Sequence, residues 1–214
     1  MPNAGSLTEK EIDYLREMIN IGSGHAASAL SQMIGCRMEV DIPKIYLTLS
    51  KKVPAILGDH GLPVVCVKMD MVGDVRGEIF FVLPEREKAE ITRLAEKANL
   101  VTARRGAADI SILEEIGNVM AGTYLTAIHD FCGLNIYHSV PVTATDTFQS
   151  LIDELLADMS RRADTIMVIE NEFVLVIESG VASAGRQVRT FFIVFPFPEF
   201  TRVMIDSIKD AMPR

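Results

Sequence analysis

Cysteine is scarce and scattered. Cys36, Cys66 and Cys132 are odd in number and far apart, which argues against a disulfide framework and against a CxxC metal site. The 4 histidines, His25, His60, His129 and His138, show no ligand spacing, so no metal centre is expected. Positive charge is the minority sign: 21 Lys and Arg stand against 29 Asp and Glu, a net charge of −8, and a nucleic-acid partner would need a basic face. No apolar run approaches the roughly 20 residues of a membrane span. The stretch from Met1 to Thr8 is short and polar, unlike a secretory leader. A soluble, cytoplasmic chain with neither membrane nor nucleic acid as partner is the expectation. Nucleotide fingerprints are also missing: Gly22-Ser23-Gly24 lacks both the Lys-Ser/Thr ending of a phosphate loop and a preceding strand, so close helix packing explains it better. Ser28, Ser31 and Ser139 sit in no nucleophile elbow. Arg104-Arg105 reads as a solvated linker pair.

What the chain does have is 49% hydrophobic content over 214 residues, enough for a sizeable core, and a repeat. Asp13, Glu17 and Asn20 recur 98 positions on as Ser111, Glu115 and Asn118. The same ungapped shift carries Ile12 to Ile110, Leu15 to Leu113, Gly24 to Gly122, Ala29 to Ala127, Gly35 to Gly133 and Pro43 to Pro141. A fixed offset over this length implies two copies of one supersecondary unit. Apolar residues and glycines persist for packing, but a Glu and an Asn facing solvent have no packing reason to persist together.

Helical geometry puts each triplet on one stripe. At about 100° per residue, positions i, i+4 and i+7 fall on the same face. Ile12, Leu15, Ile19, Gly22, Ala26, Leu30 and Met33 lie on the opposite arc, as do Ile110, Leu113, Gly117, Met120, Tyr124, Ala127 and Ile128 in the second copy. A solvated helix face would explain one such stripe; two at matched positions point to a site present twice. Ile112 and Val119 fall beside the second triplet and outside the core arc, so they are expected to form an exposed apolar docking rim, with Tyr14 and Ile21 in the matching places of copy one.

The first copy reads as a helix from Thr8 to Met33, opened by the capping box Thr8/Glu11 and stopped at Gly35. A strand from Met38 to Leu49 carries Pro43, and Ser50 to Gly61 shows no clear pattern. A hairpin, Pro63–Met71 and Val75–Leu83, precedes a helix from Glu85 to Asn99. In the second copy a helix spans Ala107 to Phe131 and a strand Leu134 to Thr143. An amphipathic helix, Phe148–Ser160, precedes hairpin arms Thr165–Glu178 and Gln187–Phe195, whose tip is Ser179–Gly185. Pro196 opens a last helix. Pro84 to Pro196 is a shift of 112, so the second hairpin is 14 residues longer. The expected fold is α+β: long helices on a mainly antiparallel sheet made by both hairpins, in one pseudo-two-fold domain, 1–214, of repeats 7–99 and 107–212.

The pattern Asp or Ser, three residues, Glu, two residues, Asn, with a proline further on, resembles the signature of the CheC/CheX/FliY family of chemotaxis phosphatases. Asp13, Glu17, Asn20 and Pro43 match it, as do Ser111, Glu115, Asn118 and Pro141, and the stretch from Asn20 to Ser31 is similar to the corresponding family helix. The two intact copies resemble the CheC-type members, whereas CheX-type members usually keep one and dimerise. The resemblance implies hydrolysis of the aspartyl phosphate of a CheY-type response-regulator receiver. Asn20 and Asn118 would then orient water, Glu17 and Glu115 would pair with a receiver lysine, and Asp13 and Ser111 would assist docking. Mg2+ would come with the receiver, and this chain would bind no cofactor of its own. The resemblance also implies CheD, a receptor deamidase, as a possible partner, with the Phe148–Ser160 helix as its surface. A non-catalytic adaptor for phosphorylated receiver or CheD is the alternative function.

Overall fold

The computed structural model describes residues 7–58, 62–98, 109–177 and 186–211. Helix α1 (Glu9–Ile34) starts at the capping box: Thr8 accepts from the Glu11 backbone, and the Glu11 carboxylate accepts from the Thr8 N–H at 2.8 Å. It stops at Gly35, whose left-handed φ of 68° an L side chain would resist. Helix α4 (Asp109–Cys132) stops the same way at Gly133, φ 73°. The cap N–H groups bond Ser31 O and His129 O, carbonyls that are again 98 positions apart.

The expected strand Met38–Leu49 is broken into β1 (Arg37–Val40) and β2 (Lys44–Leu49), and Leu134–Thr143 into β5 (Ile136–His138) and β6 (Val142–Thr147). Each break is at the proline, Pro43 or Pro141, because proline has no N–H to continue a ladder. The unpatterned stretch holds a 3-10 turn, Ser50–Lys52, and the short helix α2 (Val53–Leu57). The hairpins are β3 (Pro63–Gly73) with β4 (Gly77–Pro84), and β7 (Thr165–Ile177) with β8 (Arg186–Pro196). Helix α3 (Lys88–Ala98) follows the first and α6 (Thr201–Ala211) the second, each after a 3-10 turn that the sequence reading had merged into the helix. Helix α5 (Phe148–Arg162) is capped by Thr147. The inter-copy linker with Arg104-Arg105, the second hairpin's tip and His60 lie outside the described residues.

All strands join one antiparallel sheet, ordered β1-β7-β8-β4-β3-β5, with β2 also on β7 and β6 also on β3. The two hairpins meet at β4–β8, and each half's broken edge strand pairs with the other half's hairpin. Alternation along the strands divides the core. Val65, Val67, Met69, Ile79, Phe81, Met167, Ile169, Phe192 and Val194 face one side, under α1, α3, α4 and α6. Cys66, Phe80, Val82, Ile166, Val168, Ile193 and Phe195 face the other, under α2 and α5. Helix α5 therefore lies across the sheet from α1 and α4.

The paired long helices touch through small residues. A Cβ on Gly22 would stand 2.8 Å from the Tyr124 ring, and one on Gly117 would stand 2.8 Å from Val67 Cγ1 on β3. Gly22 thus serves close packing, as its sequence context suggested. Gly24 has no neighbour within 4 Å that would explain it.

Candidate functional site

Asp13, Glu17 and Asn20 all project from the outer face of α1 into solvent. Asp13 is engaged locally: its carboxylate accepts from Arg16 at 3.2 Å, one turn on. The side chains of Glu17 and Asn20 make no hydrogen bond or ion pair with another described residue. On α4, Ser111 and Asn118 are exposed and Glu115 is half-buried. Glu114, beside Glu115, accepts from Thr143 Oγ1 of β6 at 3.1 Å. Two like stripes, each an Asn one turn from a Glu, therefore stand on the helical side of the sheet.

The layer beneath holds these stripes rigidly. Leu15, Met18 and Ile19 alternate with the α1 stripe and are buried, as Leu113, Ile116 and Gly117 are beneath α4. Three residues after Asn20, the buried Ser23 hydroxyl lies 2.6 Å from Asn171 Oδ1 and 2.7 Å from Ile19 O. Asn171, fully buried on β7, also donates to Phe192 O at 2.8 Å. At the start of α1, Glu11 receives Lys209 Nζ at 2.5 Å and Arg202 at 3.5 Å from α6. The Lys209 hydrogen bond first, and the Thr8 N–H next, hold the Glu11 carboxyl down to about 2.

The docking rim is where sequence reasoning needs correction. Ile112 is only 1% exposed: α3 packs on the first turn of α4, with Thr92 Oγ1 donating to Asp109 Oδ1 at 3.2 Å, and closes over that flank. Ile110, assigned to the core arc, is 50% exposed instead, at the open end of the helix. Val119 is half-buried, as are Ile12, Tyr14 and Ile21. Apolar residues at the sheet edge are more exposed still. Ile42 (75% exposed) and Val140 (82% exposed) immediately precede the two strand-breaking prolines. They are also 98 residues apart, a signal that was available in the repeat.

Two of the histidines have structural partners. His129 Nδ1 bonds Leu134 O at 3.1 Å and His138 Nδ1 bonds Ser139 O at 3.0 Å, pinning the turn after α4 along an open cleft of about 240 Å³. Among the described residues no three His, Cys, Asp or Glu side chains gather as a metal site, and no helix is long and apolar enough to cross a membrane.

Two Glu–Asn stripes on the outer faces of long helices, both Asn exposed, backed by one antiparallel sheet, define a CheC-like architecture. A family model described as the CheC-like family matches residues 110–144, which include Glu115, Asn118 and Pro141. Over 167 residues the chain is 32% identical to the CheY-P phosphatase CheC of Bacillus subtilis, covering 77% of this chain and 80% of that one. The chain belongs to the CheC family. Its fold matches FliY of Thermotoga maritima, with a TM-score of 0.69 at 22% identity, over 96% of this chain and 99% of that one. A CheX of Desulfovibrio desulfuricans shares the fold more distantly, with a TM-score of 0.51 at 12% identity, over 84% of this chain and 97% of that one.

Proposed function

We propose that the chain is a phosphatase of a phosphorylated CheY-type receiver, acting at two sites. The carrying observation is the pair of exposed Asn side chains, each one turn from a Glu, at matched positions in a chain 32% identical to a CheY-P phosphatase. An aspartyl phosphate is a reactive acyl phosphate, so catalysis requires mainly a water held in line with phosphorus. The carboxamides of Asn20 and Asn118 suit this. Each can accept from the water through oxygen and donate through nitrogen to a phosphoryl oxygen. The water oxygen bonds to phosphorus as the acyl P–O bond breaks, leaving inorganic phosphate and the receiver's carboxylate. Glu17 and Glu115, one turn back, would meet the receiver's lysine in a charge-assisted bond and fix the register of docking. Asp13 and Ser111 lie at the end of each stripe and would assist docking. Mg2+ would belong to the receiver.

The test is phosphate release from Mg2+-loaded phosphorylated receiver by wild type, Asn20→Ala, Asn118→Ala and the double variant. Acceleration by wild type and none by the double variant is the expected result. A double variant as fast as wild type would refute the Asn roles. Binding without any change in phosphate lifetime would make the chain a non-catalytic adaptor. CheD is retained as a partner to be tried by titration against α5, whose position across the sheet would let it bind without covering either stripe.

A further inference from the structure

The sheet edge runs alongside the catalytic stripe of α4 in a register that can be read from two contacts. Near the helix start Glu114 holds Thr143, and two turns on a Cβ at Gly122 would meet His138 Nε2 at 3.6 Å. The strand therefore descends as the helix ascends, and residues 139–142 pass level with Asn118. At that level stands Val140. In the first copy the shift of 98 makes Ile42 the counterpart of Val140, and Asn20 that of Asn118.

Both side chains are presented by the same backbone device. The residue before each donates its N–H to the neighbouring strand: Asp41 to Glu172 O at 3.1 Å, and Ser139 to Asp70 O at 2.9 Å. The residue after each is proline, which restricts the preceding backbone to extended conformations. Ile42 and Val140 are thus held outward between a strand bond and a ring. One exposed apolar side chain needs no explanation. Two of them, at matched positions and each held between a strand bond and a proline, with one level with Asn118, do need one.

We propose that Ile42 and Val140 are docking knobs for the receiver, meeting apolar surface on the face that surrounds its phosphorylated aspartate. This rests on the phosphatase reading for its occupant. Continuity with the α4 stripe points to that occupant, because a receiver that places its phosphate against Asn118 sits level with Val140. Preordered knobs suit a transient contact, since little side-chain freedom is lost on binding. The knobs set how often a productive complex forms, while Asn sets what happens within it.

The experiment uses the full chain with a CheY-type receiver loaded with Mg2+ and beryllofluoride, which mimics the acyl phosphate. Affinity is measured for wild type, Ile42→Asp, Val140→Asp, the double variant, and the conservative pair Ile42→Val with Val140→Ile. Both positions face solvent, so unfolding curves should overlay that of wild type. The double variant should bind roughly tenfold more weakly, from two apolar groups left wet and charged, while the conservative pair stays within about twofold. With true phosphoreceiver the same variants should raise KM and leave kcat within about twofold. Unchanged affinity in the double variant would overturn the proposal, as would a fall in kcat alone. So would a chain that self-associates through these residues while receiver affinity stays constant. Binding that depends on the knobs without any hydrolysis would instead sink the phosphatase reading and leave the docking surface standing.

Discussion

Replacing Gly117 by alanine separates two opposed effects whose sizes the structure sets. Alanine in a helix interior should gain about 1 kcal/mol over glycine. Against this, the new Cβ would stand 2.8 Å from Val67 Cγ1, 3.3 Å from Val67 Cβ and 3.6 Å from Met69 Cε. Ordinary carbon contacts are ~3.5–4.0 Å, so the helix must lift from β3 by somewhat under about 1 Å or Val67 must move. Val67 is fully buried and β-branched, with little freedom at χ1, so the helix lifts. Overpacking of this kind costs about 1–3 kcal/mol, which leaves a net loss of about 1 kcal/mol. The displacement falls beside Asn118, so Gly117→Ala in an Asn20→Ala background should also slow phosphate release at the remaining site. Denaturant unfolding of both single variants and the Gly117→Ala/Val67→Ala pair closes a double-mutant cycle. With the Val67 methyls gone, Gly117→Ala should stabilise by about 1 kcal/mol, the helix-propensity gain alone. If Gly117→Ala stabilises the wild-type background equally, close approach to Val67 is not what requires glycine.

Glu11→Gln should cost about 1–2 kcal/mol at neutral pH, discounted because Lys209 and Arg202 are themselves largely exposed. The folded carboxyl, held at about 2, lies below its ordinary 4.5. This stabilisation is therefore present above pH 4.5 and is lost as pH falls from there towards 2, and urea midpoints should converge between wild type and variant over that window. Asn171→Leu removes the side-chain donor to the Phe192 carbonyl and the Oδ1 partner of the Ser23 hydroxyl, which keeps Ile19 O, and should cost about 1–2 kcal/mol by denaturant unfolding. A loss under half a kcal/mol would mean the buried bonds contribute nothing net. Matched positions beside the stripes carry opposite charge, Arg16 in one and Glu114 in the other. With one site left active by Asn→Ala, Arg16→Glu and Glu114→Arg should move KM in opposite directions for the same receiver, and added salt should shrink both effects.

The helix starts and stops, the hairpins and the stripes were legible because each rests on local chemistry. The Thr8/Glu11 box, the left-handed caps at Gly35 and Gly133, and the apolar runs of β3 and β4 around Gly73-Asp74 need no distant partner. What was not legible depends on which element covers which. Ile112 reads as exposed on a lone helical wheel and is buried because α3, from the other half of the chain, closes over it. The exchange of edge strands between halves is equally invisible locally, since β2 and β6 find partners 122 and 74 residues away, in pairs such as Tyr46↔Val168 and Lys68↔Val142 that only the fold discloses. The rim at Ile42 and Val140 is an intermediate case. Their apolar character, their prolines and their spacing were in the sequence, but an apolar residue in a strand reads as buried until the strand is known to break there. A repeat therefore exposes candidate functional residues best where duplication has kept what packing would not require, as it kept Glu17 with Glu115 and Asn20 with Asn118. Its reach ends where one copy is completed by parts of the other.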